Sequence, residues 1–333
     1  MPRESDIIAG LKKRPSVKRD VLLGIGDDAA VIKTGEGREL LACCDLMVEG
    51  VHFRTDWSPA GLLGRKALAV NLSDIAAMGG VPKFAMLSLA LPEWCSDDFI
   101  AELFDGVFKL AEATGVSIIG GDTSSSRDSL FIDVSVIGEC ETGKAVTRRG
   151  AKVGDTIYVS GSLGASALGL SLLEKGFRLD DSQDPNDARP QAVRKHLVPE
   201  PRLELGRALG HAELATAMID ISDGLSTDLW HILDESGVGA VIHASAIPVA
   251  ECVTAIALEG NTIDPLMLAL NGGEEYELLF TASPGKTQEI EKLSDLPGVK
   301  IYGIGEIVAR RDLLLARNGA FESISPTGFE HRI

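Results

Sequence analysis

Four apolar runs in this chain end on aspartate, and that recurrence limits what the chain can fold into more than any other feature. They are GIGDD at Asp27 and Asp28, LLACCD at Asp45, SIIGGD at Asp122, and AMIDISD at Asp220 and Asp223. An acid at the end of a strand-like run stands where a sheet gives way to a loop, so a fold that stacks several such ends gathers carboxylates in one place. A further acid, Asp74, interrupts a helical pattern, on a stripe of Ala67, Asn71, Asp74 and Met78 at three- and four-residue steps. Facing inward, it needs a cationic partner, because an unpaired buried carboxylate is costly. No lysine or arginine recurs beside these acids, and oxygen-only donors favour magnesium or another hard divalent ion. Any one Asp beside Gly is more often a turn former than a ligand. Recurrence in five distant segments is what the turn reading leaves unexplained.

Charge points the same way. Acids outnumber bases 49 to 32, a formal net charge of −17, which argues against nonspecific binding to nucleic-acid backbones or anionic membrane surfaces. A phosphate-bearing ligand would need its charge neutralised, and metal ions supply the means. At 333 residues, 45% hydrophobic and 24% charged, the chain reads as a globular protein of two domains. Its five cysteines are scattered apart from Cys43 and Cys44 and lack C-x-x-C spacing, which suits a reducing cytosol. No segment reaches the roughly 18 apolar residues of a membrane span, so a cytoplasmic location is expected, with no membrane or nucleic-acid partner.

Strand-like runs at AAVIKT and ELLACCDLMV precede a helical pattern from Pro59 to Met78, stopped by Gly79 and Gly80. A strand, KFAMLSLAL, leads to a helix with Ser96 as N-cap and Gly115 past its end, and then to the strands VSIIGGD and LFIDVSVIGE. A polar, glycine-bearing stretch from Arg148 to Asp155 marks a boundary between domains 1–147 and 148–333. Beyond it come the strand TIYVSG, the helix LGASALGLSLLEKG, a surface insertion at RLDDSQDPNDARPQ, and a strand, turn and helix in AMIDISDGLSTDLWHILDESG. Ser222 is the expected N-cap of that helix and Gly237 its stop; NGGEEYELLFTA and KIYGIGEIV read as turn-plus-strand units. The class is mixed α/β (α+β). Gly24, Gly26 and Ala29 match G-x-G-x-x-A, with Asp45 at about the place of a ribose-binding acid. No helix follows the glycines, however, and two aspartates would face a pyrophosphate. A P-loop and the protein-kinase motifs are absent from the sequence.

Taken in order, GIGDDAAVI, DLMVEGVHF, KALAVNLSDIAAMGG, IGGDTSSS, ISDGLSTDLWHI, NGGEEYELLF and the closing GFEH resemble the thiamine-monophosphate kinase family. The wider superfamily includes aminoimidazole ribonucleotide synthetase, selenophosphate synthetase and a hydrogenase maturation factor. The resemblance implies a two-domain aminoimidazole ribonucleotide synthetase-like fold. In it, amino-terminal sheets of a homodimer pair into a β-barrel, a carboxy-terminal α/β domain completes the site, and ATP and several magnesium ions bind between the domains. Carried over by position, the metal ligands are Asp28, Asp45, Asp74, Asp122, Asp220 and Asp223, leaving Asp27 as a turn or supporting residue. Gly121, Asp122, Arg148, Ser222 and Phe104 meet the nucleotide. His52, Glu274 and Phe329 hold thiamine phosphate, and Asp74 and Arg148 carry catalysis. The family usually has Ser-Thr where this chain has Cys43 and Cys44, and thiols suit magnesium poorly, so both stay outside the ligand set. From the residues alone, His52 reads as a satisfied structural histidine, Arg148 as a surface cation near a linker and Phe329 as a core residue anchoring the tail.

The implied reaction moves the γ-phosphoryl of ATP onto the phosphate of thiamine phosphate, giving thiamine diphosphate and ADP. The acidic Glu274 and the ring of Phe329 are expected to favour the cationic thiazolium. Rival readings are another ATP-using enzyme of the superfamily with a different acceptor, and a non-catalytic nucleotide- or metal-binding regulator.

Overall fold

The computed structural model describes residues 21–24, 27–34, 37–180, 184, 186–260 and 263–329. The basic amino-terminal stretch, Gly26, part of the insertion (181–183 and 185) and the residues after Phe329 lie outside these.

Alternating apolar residues build β1 (Val21–Leu23), β2 (Ala30–Lys33) and β3 (Arg38–Val48). Then follow α1 (Ala60–Ala77), β4 (Val81–Leu91), α2 (Asp97–Thr114), β5 (Ser117–Ser125) and β6 (Phe131–Glu141). The strands form a sheet ordered β1-β2-β3-β6-β4-β5, antiparallel except where α2 carries the chain from β4 to a parallel β5. Ser96 caps α2 by accepting from the Phe99 N–H at 3.2 Å, and Gly115, at φ 72°, closes it. The two helices meet backbone to backbone: a Cβ on Gly64 would lie 1.9 Å from the Leu103 carbonyl oxygen, and one on Gly106 1.8 Å from that of Gly61. One face of the sheet packs Leu41, Met47, Ala85, Leu87 and Leu89 into the helices' core, while the other leaves Leu46, Phe84, Met86 and Ile119 exposed.

The second half contains β7 (Thr156–Ser160), α3 (Ala165–Glu174), α4 (Arg189–Leu197), α5 (Leu203–His211), β8 (Ala217–Asp220), α6 (Leu225–Ser236) and β9 (Gly239–His243). It continues with α7 (Glu251–Leu258), α8 (Pro265–Asn271), β10 (Leu278–Ala282), α9 (Thr287–Lys292), β11 (Ile301–Val308), β12 (Leu313–Arg317) and β13 (Ala320–Ser323). Its sheet runs β13-β12-β9-β11-β7-β10-β8, with only β9 and β12 parallel. Ile157, Val159, Ile219 and Leu279 pack on one face with Leu225, Leu229 and Ile232 of α6. Tyr158, Met218, Leu278 and Phe280 pack on the other with Leu205 and Leu209 of α5 and with Ala76 and Ala77 of α1.

Helix α1 therefore lies between the two halves, packed into both cores, which is why Ala67, Asn71 and Met78 on the stripe carrying Asp74 are buried. Two local expectations change. Helix α6 starts at Leu225 with Gly224, at φ 124°, in the cap position expected for Ser222. The turn is held from inside the helix, where Asp228 Oδ2 accepts from the N–H groups of Asp223 (3.1 Å) and Gly224 (3.0 Å). The insertion also ends early, because Arg189 and Pro190 already belong to α4.

Candidate active site

Three chain segments far apart in sequence bring their acids together. Asp28 sits in the bend before β2, Asp74 near the end of α1, and Asp220 at the end of β8, and one carboxylate oxygen from each lies within 4.8 Å of the others. Asp45 of β3 joins from the side: its N–H donates to Asn71 Oδ1 at 3.0 Å, about one turn of α1 before Asp74, and its charge raises both Asp74 and Asp220. Ser73 Oγ donates to Asp220 Oδ2 at 2.6 Å.

Burial and mutual repulsion make the group reluctant to ionise. Asp220, 2% exposed, is pushed up to about 8, first by burial and then by Asp28. Asp74 rises well above its ordinary value by burial and by Asp45, Asp220 and Asp28. Asp27 is raised to about 7, by burial and by Asp28.

One cation already serves the cluster, which corrects the expectation that no basic residue stands near these acids. Arg148, 120 positions along the chain, pairs through its guanidinium with Asp28 Oδ1, and its backbone N–H donates to Asp27 Oδ2 at 3.1 Å. Burial disfavours its charge, but Asp28 and Asp27 outweigh this and hold it firmly protonated. Arg148 is thus a half-buried partner of the acids, where the residues alone suggested a surface cation. Asp27 Oδ1 accepts from the Asp28 N–H at 3.0 Å, so Asp27 shapes the turn and braces Arg148. Asp28 Oδ2 is buried and accepts no hydrogen bond among the described residues.

Two other expected ligands lie elsewhere. Asp223 groups with Asp228 and His231 in a second cluster whose oxygen and nitrogen atoms lie within 4.8 Å of one another. Asp122 is on exposed β5, in a row with Ser88, Asp133 and Leu46. That row crosses three strand spacings, about 14 Å, from β3 to β5, and Leu46 is exposed on the open face, so Asp122 and Asp45 point to opposite sides of the sheet. Gly121 pairs with Leu87, where a Cβ would lie 1.7 Å from the Leu87 carbonyl oxygen. Phe104 packs, half-buried, against the first core. Cys43 Sγ donates to the Asn71 carbonyl at 3.4 Å and Cys44 Sγ to Asp133 Oδ1 at 2.9 Å.

The loop after Asp220 organises the remaining residues. The Ser222 carbonyl accepts from the Glu274 N–H at 2.7 Å, and the Asp223 carbonyl accepts from the Phe329 N–H at 3.1 Å. Phe329 is thus anchored by its backbone while its ring stays 50% exposed, which corrects the reading of a core residue. His52 Nδ1 accepts from the Val48 N–H at 3.0 Å, and its charge is among those that lower Glu274. The Glu274 carboxylate meets Lys66 Nζ at 3.1 Å and His196 Nδ1 at 3.0 Å. Sequence reasoning missed Lys66, His196, Ser73, Asp228 and His231. Only the last two had a legible signal, a helical i, i+3 pair just after Asp223.

Family models described as "AIR synthase related protein, N-terminal domain" and "AIR synthase related protein, C-terminal domain" match residues 26–140 and 152–315. A curated protein of Bacillus subtilis named thiamine-monophosphate kinase is 40% identical over 280 residues, 84% of this chain and 83% of its own length. One of the same name from Escherichia coli is 37% identical over 317 residues, covering 95% and 94%. A solved structure titled "AaThiL complexed with AMPPCP and TMP" superposes with a TM-score of 0.86 at 32% identity, covering 99% of this chain and 97% of that one.

Proposed function

The chain belongs to the AIR synthase related family, within its thiamine-monophosphate kinase branch, and from that membership we infer how its residues perform the reaction. The enzyme is an ATP-dependent kinase that phosphorylates thiamine phosphate; a structural relative is described in complex with AMPPCP, an ATP analogue, and TMP. A phosphate oxygen of thiamine phosphate bonds to the γ-phosphorus of ATP, the bond from that phosphorus to the β,γ-bridging oxygen breaks, and ADP leaves with the electron pair. The acceptor phosphate has its second pKa at about 6 and is largely dianionic at neutral pH, so no strong general base is required. The barrier to overcome is repulsion between two anions.

The single observation that carries the site assignment is the convergence of Asp28, Asp74 and Asp220, with one buried Asp28 oxygen lacking a donor among the described residues. An all-oxygen group of this kind fits a hard divalent cation, and Asp45, whose charge raises Asp74 from the side, is assigned to the same metal centre. When bound, magnesium neutralises phosphate charge and aligns the attacking and leaving oxygens. Arg148 holds Asp28 in place and supplies a positive charge beside the transferred group. Asp223 serves as a further ligand. Gly121, Asp122, Ser222 and Phe104 line the nucleotide side, and His52, Glu274 and Phe329 hold thiamine phosphate, the last two anchored by their backbones to the loop that follows Asp220.

The boundary between the two working units is placed at 147/148. We also assign a homodimer, supported by the open sheet face bearing Leu46, Phe84, Met86 and Ile119; Asp122 lies on that face. The five cysteines are all free, which supports a cytoplasmic location, and no helix among the described residues is long and apolar enough to cross a membrane. Purified protein given ATP, magnesium and thiamine phosphate is expected to form thiamine diphosphate and ADP. Asp74→Asn should lower turnover by orders of magnitude with the fold intact by circular dichroism. Near-normal turnover at saturating magnesium would exclude Asp74 from the site.

A further inference from the structure

We propose that Lys66 and His196 are positioning residues for thiamine phosphate, acting through Glu274, whose free oxygen accepts a hydrogen bond from an N–H donor of the substrate's aminopyrimidine ring. The proposal rests on the assignment of Glu274 to the substrate and revises the part Glu274 plays there.

Glu274 is held unusually hard for a loop residue. Its backbone is left-handed, at φ 58°, a conformation that costs a non-glycine residue on the order of 1 kcal/mol or more. The N–H is tied to the Ser222 carbonyl at 2.7 Å, and the preceding Gly273 is pressed so closely on that segment that a Cβ would lie 2.6 Å from the same carbonyl oxygen. On the side chain, Oε2 accepts from Lys66 Nζ at 3.1 Å, and His196 Nδ1 lies 3.0 Å from the same oxygen. Lys66 comes from α1, 208 positions away, and is 3% exposed, as is His196 on α4. An ammonium buried so deeply is expensive unless paired, so the fold commits a buried cation from its central helix to one carboxylate oxygen.

The imidazole does its part without charge. Burial, and then Lys66, drive His196 down to about 4, so at neutral pH it is uncharged; its Nδ1 lies 3.0 Å from Glu274 Oε2 and is hydrogen-bonded with Ser166 Oγ at 3.2 Å. Burial alone would raise Glu274, but the Lys66 ammonium, by its charge and its hydrogen bond, holds it ionised below its ordinary value.

This arrangement removes Glu274 as a simple counter-ion for the thiazolium. Its charge is already matched by Lys66, so the pair presents little net field to a cationic ring. What remains is direction. Oε1 accepts no hydrogen bond among the described residues, and the side chain is 25% exposed. A rigid carboxylate with one committed and one open oxygen selects for a donor at a fixed place, which an aminopyrimidine provides.

The test is a double-mutant cycle on the full chain, reading KM for thiamine phosphate and for ATP, with folding checked by binding of an ATP analogue. Glu274→Gln and Lys66→Met should each raise KM for thiamine phosphate roughly 10-fold or more, the scale of one hydrogen bond to a charged group. KM for ATP should stay within about threefold. The double variant should be no worse than Glu274→Gln alone, because Lys66 acts only through Glu274. His196→Asn, whose amide nitrogen reaches the position of Nδ1, should recover most of what His196→Leu loses, and this pair carries the test if Lys66→Met fails the folding check. Additive losses in the double variant, an unchanged KM in Lys66→Met, or equal losses for His196→Asn and His196→Leu would each overturn the positioning role while leaving Glu274 at the substrate. An unchanged KM in Glu274→Gln would overturn both.

Discussion

Replacing Asp220 by Asn should make the metal-free protein more stable while destroying its function, and the gain should grow with pH. Asp220 is 2% exposed, beside Asp28 and Asp74, with a folded-state pKa of about 8 against an ordinary 3.8. A carboxyl whose folded pKa is raised contributes stability that is fully present below pH 3.8 and is lost as pH rises toward about 8. At ~1.4 kcal/mol per unit, ionisation costs the fold roughly 2 kcal/mol at pH 5 and roughly 5 kcal/mol at pH 8. Asparagine removes that cost, is close in size, and keeps an oxygen to accept the Ser73 hydroxyl now 2.6 Å from Oδ2. The difference between variant and parent should therefore widen by about 3 kcal/mol between the two pH values, or about 6–12 °C in Tm. Scanning calorimetry in chelator at pH 5 and pH 8 measures it. Saturating magnesium and ATP should reverse the order, stabilising the parent but not the variant, with turnover falling in parallel. If Asp220→Asn shifts Tm by the same amount at both pH values, the claim that this carboxylate is held in a strained, cation-seeking state is wrong.

Arg148→Met should act in the opposite sense, lowering metal-free stability by ~3–5 kcal/mol because the buried Asp28 loses its partner, and denaturant titration will read it directly. Ser96→Ala should cost about 1 kcal/mol, through loss of the α2 cap, and leave KM for both substrates alone; steady-state kinetics beside thermal melts will separate the two effects. Gly106→Ala should be far worse than its single methyl suggests, since the new Cβ would stand 1.8 Å from the Gly61 carbonyl oxygen and force α2 away from α1; yield of soluble protein and Tm are the measures.

Much of this protein was legible in its sequence wherever the governing signal is local. The Ser96 cap and Gly115 stop of α2, the extent of α1 from just after Pro59 to Met78, and the end of β8 at Asp220 follow from backbone preferences spanning a few residues, whereas Asp45 and Asp122, read as strand ends, lie inside β3 and β5, and Asp27 and Asp28 precede β2. The exception, the start of α6, failed for a reason equally local but hidden: Asp228, inside the helix, took over the capping role that the sequence offered to Ser222. The motif order was likewise enough to identify the family.

What the sequence could not say is which acids meet, and with what. Asp28, Asp74 and Asp220 converge because α1 is clamped between two sheets and β8 ends beside it, whereas Asp122 ends an equally suggestive run yet lies on the opposite face of its sheet. Arg148 reaches Asp28 across 120 positions, and Lys66 reaches Glu274 across 208. Sequence spacing carries no information about such pairs, because strand order and register decide them, and a shift of one residue in register turns a carboxylate from one side of a sheet to the other.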